Sequence, residues 1–504
     1  GIPVIMAVNM MDLVKKNGDK IDIKNLSNAL GCEVVEISAL KGTGIDEVKE
    51  KAVAAAQKKV QNKRVHSFDQ AVEDAIDSVS AKLTVEERKK RFFAIKLLEK
   101  DTKIAEQMDS VPDCKDEIKA LEEAMIADRR HLHRHPELAF HEYRTTAFLK
   151  QRLQEFGVEL EPLDMETGVS ALIRGVHDGP TICIRNDMDA LPIQERTGLP
   201  FASCVEGVCH CCGHDIHAVT ALYCAKLLQE RREALHGNVR IVIQPAEEGA
   251  SGAYAMAAAG AMDFTPKTDI VVGTHVHPAV PVGSISVMPG PAQAASDHFT
   301  ITVKGVGGHG AYPHLCVDPI VVSAYLIAQL QTVVSRETQP TKPAVLTFGT
   351  ISGGVAANAI PREVTITGTL RSLYPDSRKH NKEAIIRITE GVCSAMRAEG
   401  TVIFEDPGIP PVINDPETTQ AILVAAEKIL GKGHGIITEF PSMGSDDFSV
   451  FLEYSRGVQL FVGSANNDPA TKIGLHCGDN VFDESALSVG VSVLTQYVLD
   501  ALGA

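Results

Sequence analysis

Residues 207 to 217 read Gly-Val-Cys-His-Cys-Cys-Gly-His-Asp-Ile-His, which sets Cys212 and His214 two positions apart, and Gln-Pro-Ala-Glu-Glu follows at 244 to 248. A thiolate and a neutral imidazole suit a zinc-like divalent ion, and two adjacent carboxylates can divide the holding of metal from the movement of a proton. A fold that uses these groups together has to bring two sequence-distant loops to one place. Hydrolytic metal chemistry is the leading reading of these residues.

The surrounding pattern supplies such a fold. Apolar positions recur at helical spacing over 116–134 and 145–156, the second run closed by Gly157. Strands are expected at 169–174 and 181–186, a helix at 216–232, a strand at 239–243, a helix at 250–261 and a strand at 269–273. This alternation predicts an α/β layer with a mixed sheet, and the metal motifs follow strands or open helices, where the loops of such sheets gather ligands. Between 296 and 406 the order changes to strand 299–306, helix 320–335, strands 344–352 and 363–372, helix 376–399 and strand 401–405. That βαββαβ order matches a ferredoxin-like unit inserted into the catalytic body. The expected organisation is 1–58, 59–112, 113–295, 296–406 as a lid, and 407–504 as the return to the catalytic domain.

The metal motifs belong to a longer ordered set: Arg185-Asn186-Asp187-Met188-Asp189-Ala190-Leu191-Pro192, Cys212-Gly213-His214-Asp215, Gln244-Pro245-Ala246-Glu247-Glu248-Gly249, Gly273-Thr274-His275-Val276-His277-Pro278, Gly307-Gly308-His309 and Leu475-His476. In this order and spacing, over roughly 115–504, the chain resembles the bacterial and plant amidohydrolases that include hippurate hydrolase, N-acyl-amino-acid hydrolases and auxin-conjugate hydrolases. The resemblance implies a mixed-sheet, metallopeptidase-like α/β catalytic domain with the ferredoxin-like lid inserted. It also implies two divalent ions, zinc, manganese or cobalt, bridged by Cys212 and further held by His214, Glu248, His275 and His476, with Glu247 as the general base. A bridging thiolate offsets the repulsion of two close cations. The implied reaction is hydrolysis of the amide of a small N-acyl amino acid, such as a hippurate-like or N-acetyl substrate. The runner-up within enzymes is a dipeptidase or a biosynthetic deacetylase.

Around that centre, Asp187, Asp189 and Asp215 are expected to orient ligands from behind. In the lid, His309 and Asn358 are expected to donate to the developing oxyanion, and Arg371 to pair with a substrate carboxylate. His476 follows the insertion, so the lid is expected to close over the metals, and it is also the expected contact of a homodimer. His210, His217 and His277 read as supporting or packing histidines, as do His131, His133 and His135, because helical neighbours two apart face different ways. One departure stands out: the residue before Cys212, usually small and unreactive in this family, is Cys211, an alternative ligand or an oxidation-sensitive thiol.

A formal charge of −16 argues against broad nucleic-acid binding, which needs concentrated Lys and Arg. No uninterrupted apolar run of spanning length and no secretory pattern occurs. Eleven cysteines, an odd number with four crowded at 204–212, read as reduced thiols of a cytoplasmic protein.

The beginning of the chain has another texture. Gly-Ile-Pro-Val-Ile-Met-Ala-Val-Asn-Met-Met-Asp is an apolar strand leading into Asn9 and Asp12, without an initiator Met, and reads as a fragment. A second strand at 34–37 leads into Ser38-Ala39-Leu40-Lys41-Gly42-Thr43-Gly44. These motifs resemble the guanine-recognising elements of translation-factor-like GTPases, and the stretch after them, with Arg91-Phe92-Phe93-Ala94-Ile95-Lys96, resembles the helical region of bacterial ferrous-iron transport GTPases. The resemblance implies a partial G domain and helical segment, with Asn9, Asp12, Ser38 and Ala39 as vestigial nucleotide contacts. The alternative from another class is therefore a GTPase-linked iron-transport accessory with an inactive hydrolase body. No Gly-x-x-x-x-Gly-Lys-Ser/Thr loop occurs in the chain to cradle phosphates. A nucleotide titration is expected to give no saturable GTP signal; micromolar affinity would overturn this reading.

Overall fold

The computed structural model describes residues 5–8, 23–30, 33–38, 43–57, 115–249 and 252–503. The chain divides into two compact units, Gly1–Lys119 and Ala120–Ala504. In the first, β1 (Ile5–Val8) is followed by α1 (Ile23–Leu30), β2 (Glu33–Glu36) and α2 (Ile45–Gln57), and β1 runs parallel to β2. Val34 and Val35 supply buried apolar surface, and Asp46 and Glu47 stand in the first turn of α2, where the helix dipole favours negative charge. Ser38 is buried, and its N–H donates to the Thr43 carbonyl at 3.0 Å. Asn9, Asp12 and Ala39, and the helical segment expected at 59–112, lie outside the described residues.

From residue 115 the chain runs through α3 (Lys115–Arg134), α4 (Tyr143–Glu155), β3 (Glu159–Glu161), β4 (Val169–Arg174), β5 (His177–Asp187), α5 (His214–Glu230), β6 (His236–Gln244), α6 (Gly252–Ala258), β7 (Ile270–Pro281), β8 (Ile285–Val287) and β9 (Gly290–Gln293). The insertion comprises β10 (Ala295–Lys304), β11 (Gly308–His309), α7 (Pro319–Thr332), β12 (Ala344–Ser352), β13 (Ala359–Ile360), β14 (Glu363–Ser372), α8 (Pro375–Ala395) and β15 (Glu399–Phe404). The return adds β16 (Val412–Asn414), α9 (Pro416–Leu430), β17 (Gly435–Ile437), α10 (Phe448–Phe451), β18 (Arg456–Ala465) and α11 (Ala486–Ala501).

The catalytic sheet has the order β17-β8-β18-β7-β5-β6-β4-β3. Its centre, β18, β7, β5 and β6, is parallel, whereas β4 and β3 pair antiparallel with their neighbours and β8 pairs antiparallel with β18, so the sheet is mixed. Central strands buried on both faces read as apolar runs, and Thr-Ile-Cys-Ile at 181–184 is such a run. One face packs Ile182, Ile184, Ile241 and Val272 against α5 and α11; the other packs Cys183, Val242 and Val271 against α6 and α10. Strand β7 extends well beyond the expected 269–273, because β18 pairs with it through His275↔Phe461 and on to Ala465↔Pro281. The neighbour's register, which local propensity cannot report, carries His275 within a strand.

The inserted domain is a four-stranded antiparallel sheet of order β12-β14-β10-β15 with α7 and α8 on one face, built around Phe299, Ile301, Leu326, Ile366 and Ile385. Helix α7 opens with Asp318, whose side chain accepts from the Ile320 N–H, followed by Pro319; Asp415 and Pro416 open α9 in the same way. Strands β5 and β6 end side by side at Asp187 and Gln244, next to the segment of β7 that carries His275. The crevice outside these carboxyl ends is where open α/β sheets place their sites. Among the described residues no helix is long and apolar enough to cross a membrane.

Candidate metal centre

The loop into α5 turns sharply between two donor side chains. Gly213 has φ +85°, and a Cβ there would lie 2.3 Å from Val276 Cγ2, so glycine alone fits between Cys212 and His214. His214, at the first turn of α5, is fully buried; its Nδ1 is 3.1 Å from Asp189 Oδ1, and its Nε2 has no hydrogen-bond partner. The other Asp189 oxygen accepts from the Glu248 N–H at 3.0 Å, so one carboxylate orients both a histidine and the glutamate loop. His275 donates from Nδ1 to the Val276 carbonyl at 2.7 Å, which leaves Nε2 facing Cys212 Sγ at 3.5 Å.

His476 arrives from the far side of the insertion in a left-handed conformation, φ +60°. Its N–H donates to the Cys211 carbonyl at 3.1 Å, and Asn480 Nδ2 donates to the same oxygen at 2.8 Å, which pins the two loops together. His476 Nε2 lies 3.0 Å from Glu248 Oε1, a buried oxygen that accepts no aligned hydrogen bond. The donor atoms of Cys212, His214 and His275 lie within 4.8 Å of one another, and so do those of Cys212, Glu248 and His476. Two donor triads share one sulfur. Buried acceptor atoms without a donor, in a shell of sulfur, imidazole and carboxylate, fit a pair of divalent cations.

The electrostatics agree with that use. Burial pushes His275 down to about 3, so its imidazole is neutral, and burial pushes the Cys212 thiol well up, so its ionisation calls for cations. Glu247 is driven well above the ordinary carboxyl range by burial, with Asp446, Asp447 and Glu248 adding to the shift. A raised proton affinity suits a proton carrier. Burial opposes the charge of Asp187, yet His214, His217 and Arg185 hold it well below its usual value. His217 also stands in this cluster, but its Nδ1 meets Asp187 at 2.6 Å and its Nε2 accepts from the Val276 N–H at 2.8 Å. With both nitrogens engaged, His217 is a tie between β5, α5 and β7.

Behind the glutamates, the fully buried Arg185 donates to Gln244 at 2.8 Å, Asp187 at 3.1 Å and Asp447 at 2.8 Å, with Asp446 at 3.3 Å. This network was visible only as a motif around Arg185; the arginine at the end of an apolar strand was the signal that a buried ion would need partners.

In front lies a cleft of about 710 Å³, lined by Cys212, Glu247, Glu248, His275 and His476 and, from the lid, by Arg371 and His298. Arg371 Nη1 donates to Ser445 Oγ at 2.6 Å. His309 and Asn358 do not line this cleft. His309 is exposed on the β11–β13 ribbon, opposite Ala359, whereas the cleft is faced by β10 and β14, where Ser296 pairs with Arg371. The expectation for Asp215 is corrected too. It neighbours His214 on a helix and so points elsewhere, to Arg129 Nε at 2.6 Å and His133 Nδ1 at 2.8 Å. The Cys211 thiol joins none of the donor clusters among the described residues.

Residues 183–500 match the family model of peptidase family M20/M25/M40. The chain belongs to this family. The M20 chain is 40% identical over 347 residues to N-acetyl-L-cysteine deacetylase of Bacillus subtilis (69% of this chain, 82% of the relative) and 35% identical over 384 residues to the Arabidopsis thaliana IAA-amino acid hydrolase ILR1-like 5 (75% and 87%). The crystal structure of the B. subtilis YXEP protein, described as a dinuclear metal binding peptidase from M20 family, superposes with a TM-score of 0.67 at 34% identity, covering 76% of this chain and 99% of that one. M20 peptidases are dinuclear metal-binding enzymes, and this one is a metal-dependent amidohydrolase. Ahead of that body, residues 1–52 match Ferrous iron transport protein B and residues 68–148 match the FeoB cytosolic helical domain, a match that runs through α3 into α4.

Replacing Asp215 with Ala removes the shorter of the two carboxylate contacts of the buried Arg129 and leaves it only the Glu484 contact at 3.3 Å. Denaturant unfolding is expected to show a loss of about 3–5 kcal/mol. Arg129 and His133 hold Asp215 well below its usual value despite its burial. A depressed folded-state pKa means the contribution is full above about pH 4 and fades as acid protonates the carboxylate, so the wild type should lose this increment in acid and Asp215→Ala should not.

Proposed function

We propose that the cleft hydrolyses the amide bond of an N-acyl amino acid, and that Cys212, His214, Glu248, His275 and His476 would hold two divalent ions there. The observation that carries this reading is one sulfur common to two donor triads, beside a half-buried glutamate of raised proton affinity. When bound, the ions supply acidified water, with a pKa of about 7, and draw charge from the scissile carbonyl. Glu247, whose carboxylate lies close to the His214 imidazole and the Glu248 carboxylate, takes the proton of the attacking water and hands it to the leaving nitrogen. The C–N bond breaks, and a carboxylic acid and a free amine depart. Arg371, half-buried across the cleft and steadied by Ser445, pairs with the substrate carboxylate. Relatives named for N-acetylcysteine deacetylation and for IAA-amino acid hydrolysis act on compounds that carry both an amide and a carboxylate, which supports this class. The thiolate favours zinc over manganese or cobalt. Every described cysteine is a free thiol, which supports a reducing compartment such as the cytoplasm.

Chelation is expected to abolish hydrolysis of N-acetyl amino acids or hippurate, and zinc, manganese or cobalt to restore it. Glu247→Ala should lower kcat by about 10²–10⁴-fold at unchanged metal content, and a variant with full turnover would remove Glu247 as the base.

The partner we assign to the lid is a second copy of the chain. Ile320, Val321 and Tyr325 are exposed on α7, and β12 is the outer strand of its sheet. An antiparallel edge can pair with its own copy about a two-fold axis. Sedimentation should find a dimer that Tyr325→Asp weakens; a monomeric wild type would refute the assignment.

A further inference from the structure

Glu142 stands at the N-terminal boundary of α4, yet its side chain makes no bond to that helix. It is fully buried and crosses to the end of β6, where Oε1 accepts from the Ala246 N–H at 2.8 Å; Oε2 is buried without a partner. Ala246 directly precedes Glu247 and has φ +57°, a conformation that side chains with a Cβ adopt only under external constraint. Its carbonyl accepts from the Gly252 N–H at 2.9 Å, and a Cβ at Gly252 would fall 1.7 Å from the Pro245 oxygen, so the turn is held from both sides.

The loop that delivers Glu142 is itself anchored to the site. Leu138 bridges Ala190, the Ala190 N–H donates to the Glu137 carbonyl at 2.9 Å, and the Glu137 carboxylate accepts from the Thr145 N–H at 2.8 Å. Glu142 is thereby fixed relative to the strand end that carries Asp189, the residue orienting His214 and Glu248.

We propose that Glu142 is a positioning residue for Glu247: by holding the Ala246 N–H, it maintains the left-handed turn that sends Glu247 into the cleft, while Asp189 separately holds the Glu248 N–H. Burial, with the nearby Asp189 charge adding, pushes its carboxyl up to about 7, so a neutral group of the same shape suits the place. The amide of glutamine keeps both the shape and the accepting oxygen. Aspartate, one methylene shorter, does not reach. The proposal rests on Glu247 as the base.

The test uses the full-length, metal-loaded chain with an N-acetyl amino acid as substrate, and compares Glu142→Gln, Glu142→Asp and Glu142→Ala for kcat, KM, metal ions per chain and the crystallographic φ of Ala246. Displacing a reacting group by about 1 Å can cost on the order of 100-fold, so Asp and Ala should lower kcat by about 10–100-fold, with KM and metal content retained and Ala246 out of its left-handed conformation. Gln should keep kcat close to wild type. Wild-type kcat in Glu142→Asp, or an equal loss in Glu142→Gln, would overturn the proposal, as would an unchanged Ala246 φ in Glu142→Asp. Should Glu142→Ala fail to fold, the Gln and Asp pair decides. Glu247→Ala, measured in parallel, separates the two readings: full turnover there refutes the base itself, whereas an inactive Glu247→Ala beside an active Glu142→Asp refutes only the positioning.

Discussion

The guanidinium of Arg185 sits where β5 ends, without exposure, and reaches Asp187 on its own strand, Gln244 at the end of β6, and Asp446 and Asp447 from the segment before α10. A cation buried this deeply is tolerable only with its charge matched and its donors used. Satisfying it forces three chain segments, one of them from beyond the inserted domain, to converge behind the glutamate loop. The same carboxylates then act forward. Asp187 holds His217 against β7, and Asp446 and Asp447 raise the proton affinity of Glu247. Core packing and site electrostatics are one network here.

Backbone strain gathers in the same region. Of the four non-glycine residues with positive φ among the described residues, Ala246 and His476 flank or carry proposed functional groups, and Phe140 lies on the loop that brings Glu142 to Ala246. Such conformations persist only where surrounding bonds over-determine them. At His476 the restraint is the Cys211 carbonyl, shared with Asn480; at Ala246 it is the Glu142 carboxyl and Gly252. Cys211 thus contributes through its backbone carbonyl, which needs no particular side chain.

Much of the architecture was legible in the linear pattern. The strands expected at 169–174, 344–352 and 363–372 occur with those bounds, because apolar alternation and apolar runs are local signals. Strand β7 was read short because its last residues are strand only by pairing with β18. At the site, Cys212, His214, Glu247, Glu248, His275 and His476 come together around one cleft. Asp215, His309 and Asn358 do not join them, since adjacency in sequence or in a motif does not specify which way a helix face or a ribbon turns. Glu142 and Arg129 carried no signal of their own; a lone charged residue on a helix reads as solvated until tertiary contacts bury it.

Composition, periodicity and ordered motifs determined the α/β class, the inserted ferredoxin-like unit and the donor types, because each depends on residues close in sequence or on chemistry intrinsic to a side chain. Tertiary structure alone decided which imidazole nitrogens are left with a lone pair, which carboxylates face the cleft and which backbone turns are held in strain. Those outcomes depend on hydrogen bonds between segments up to hundreds of residues apart, and on burial that shifts proton affinity, neither of which exists until the chain has closed on itself.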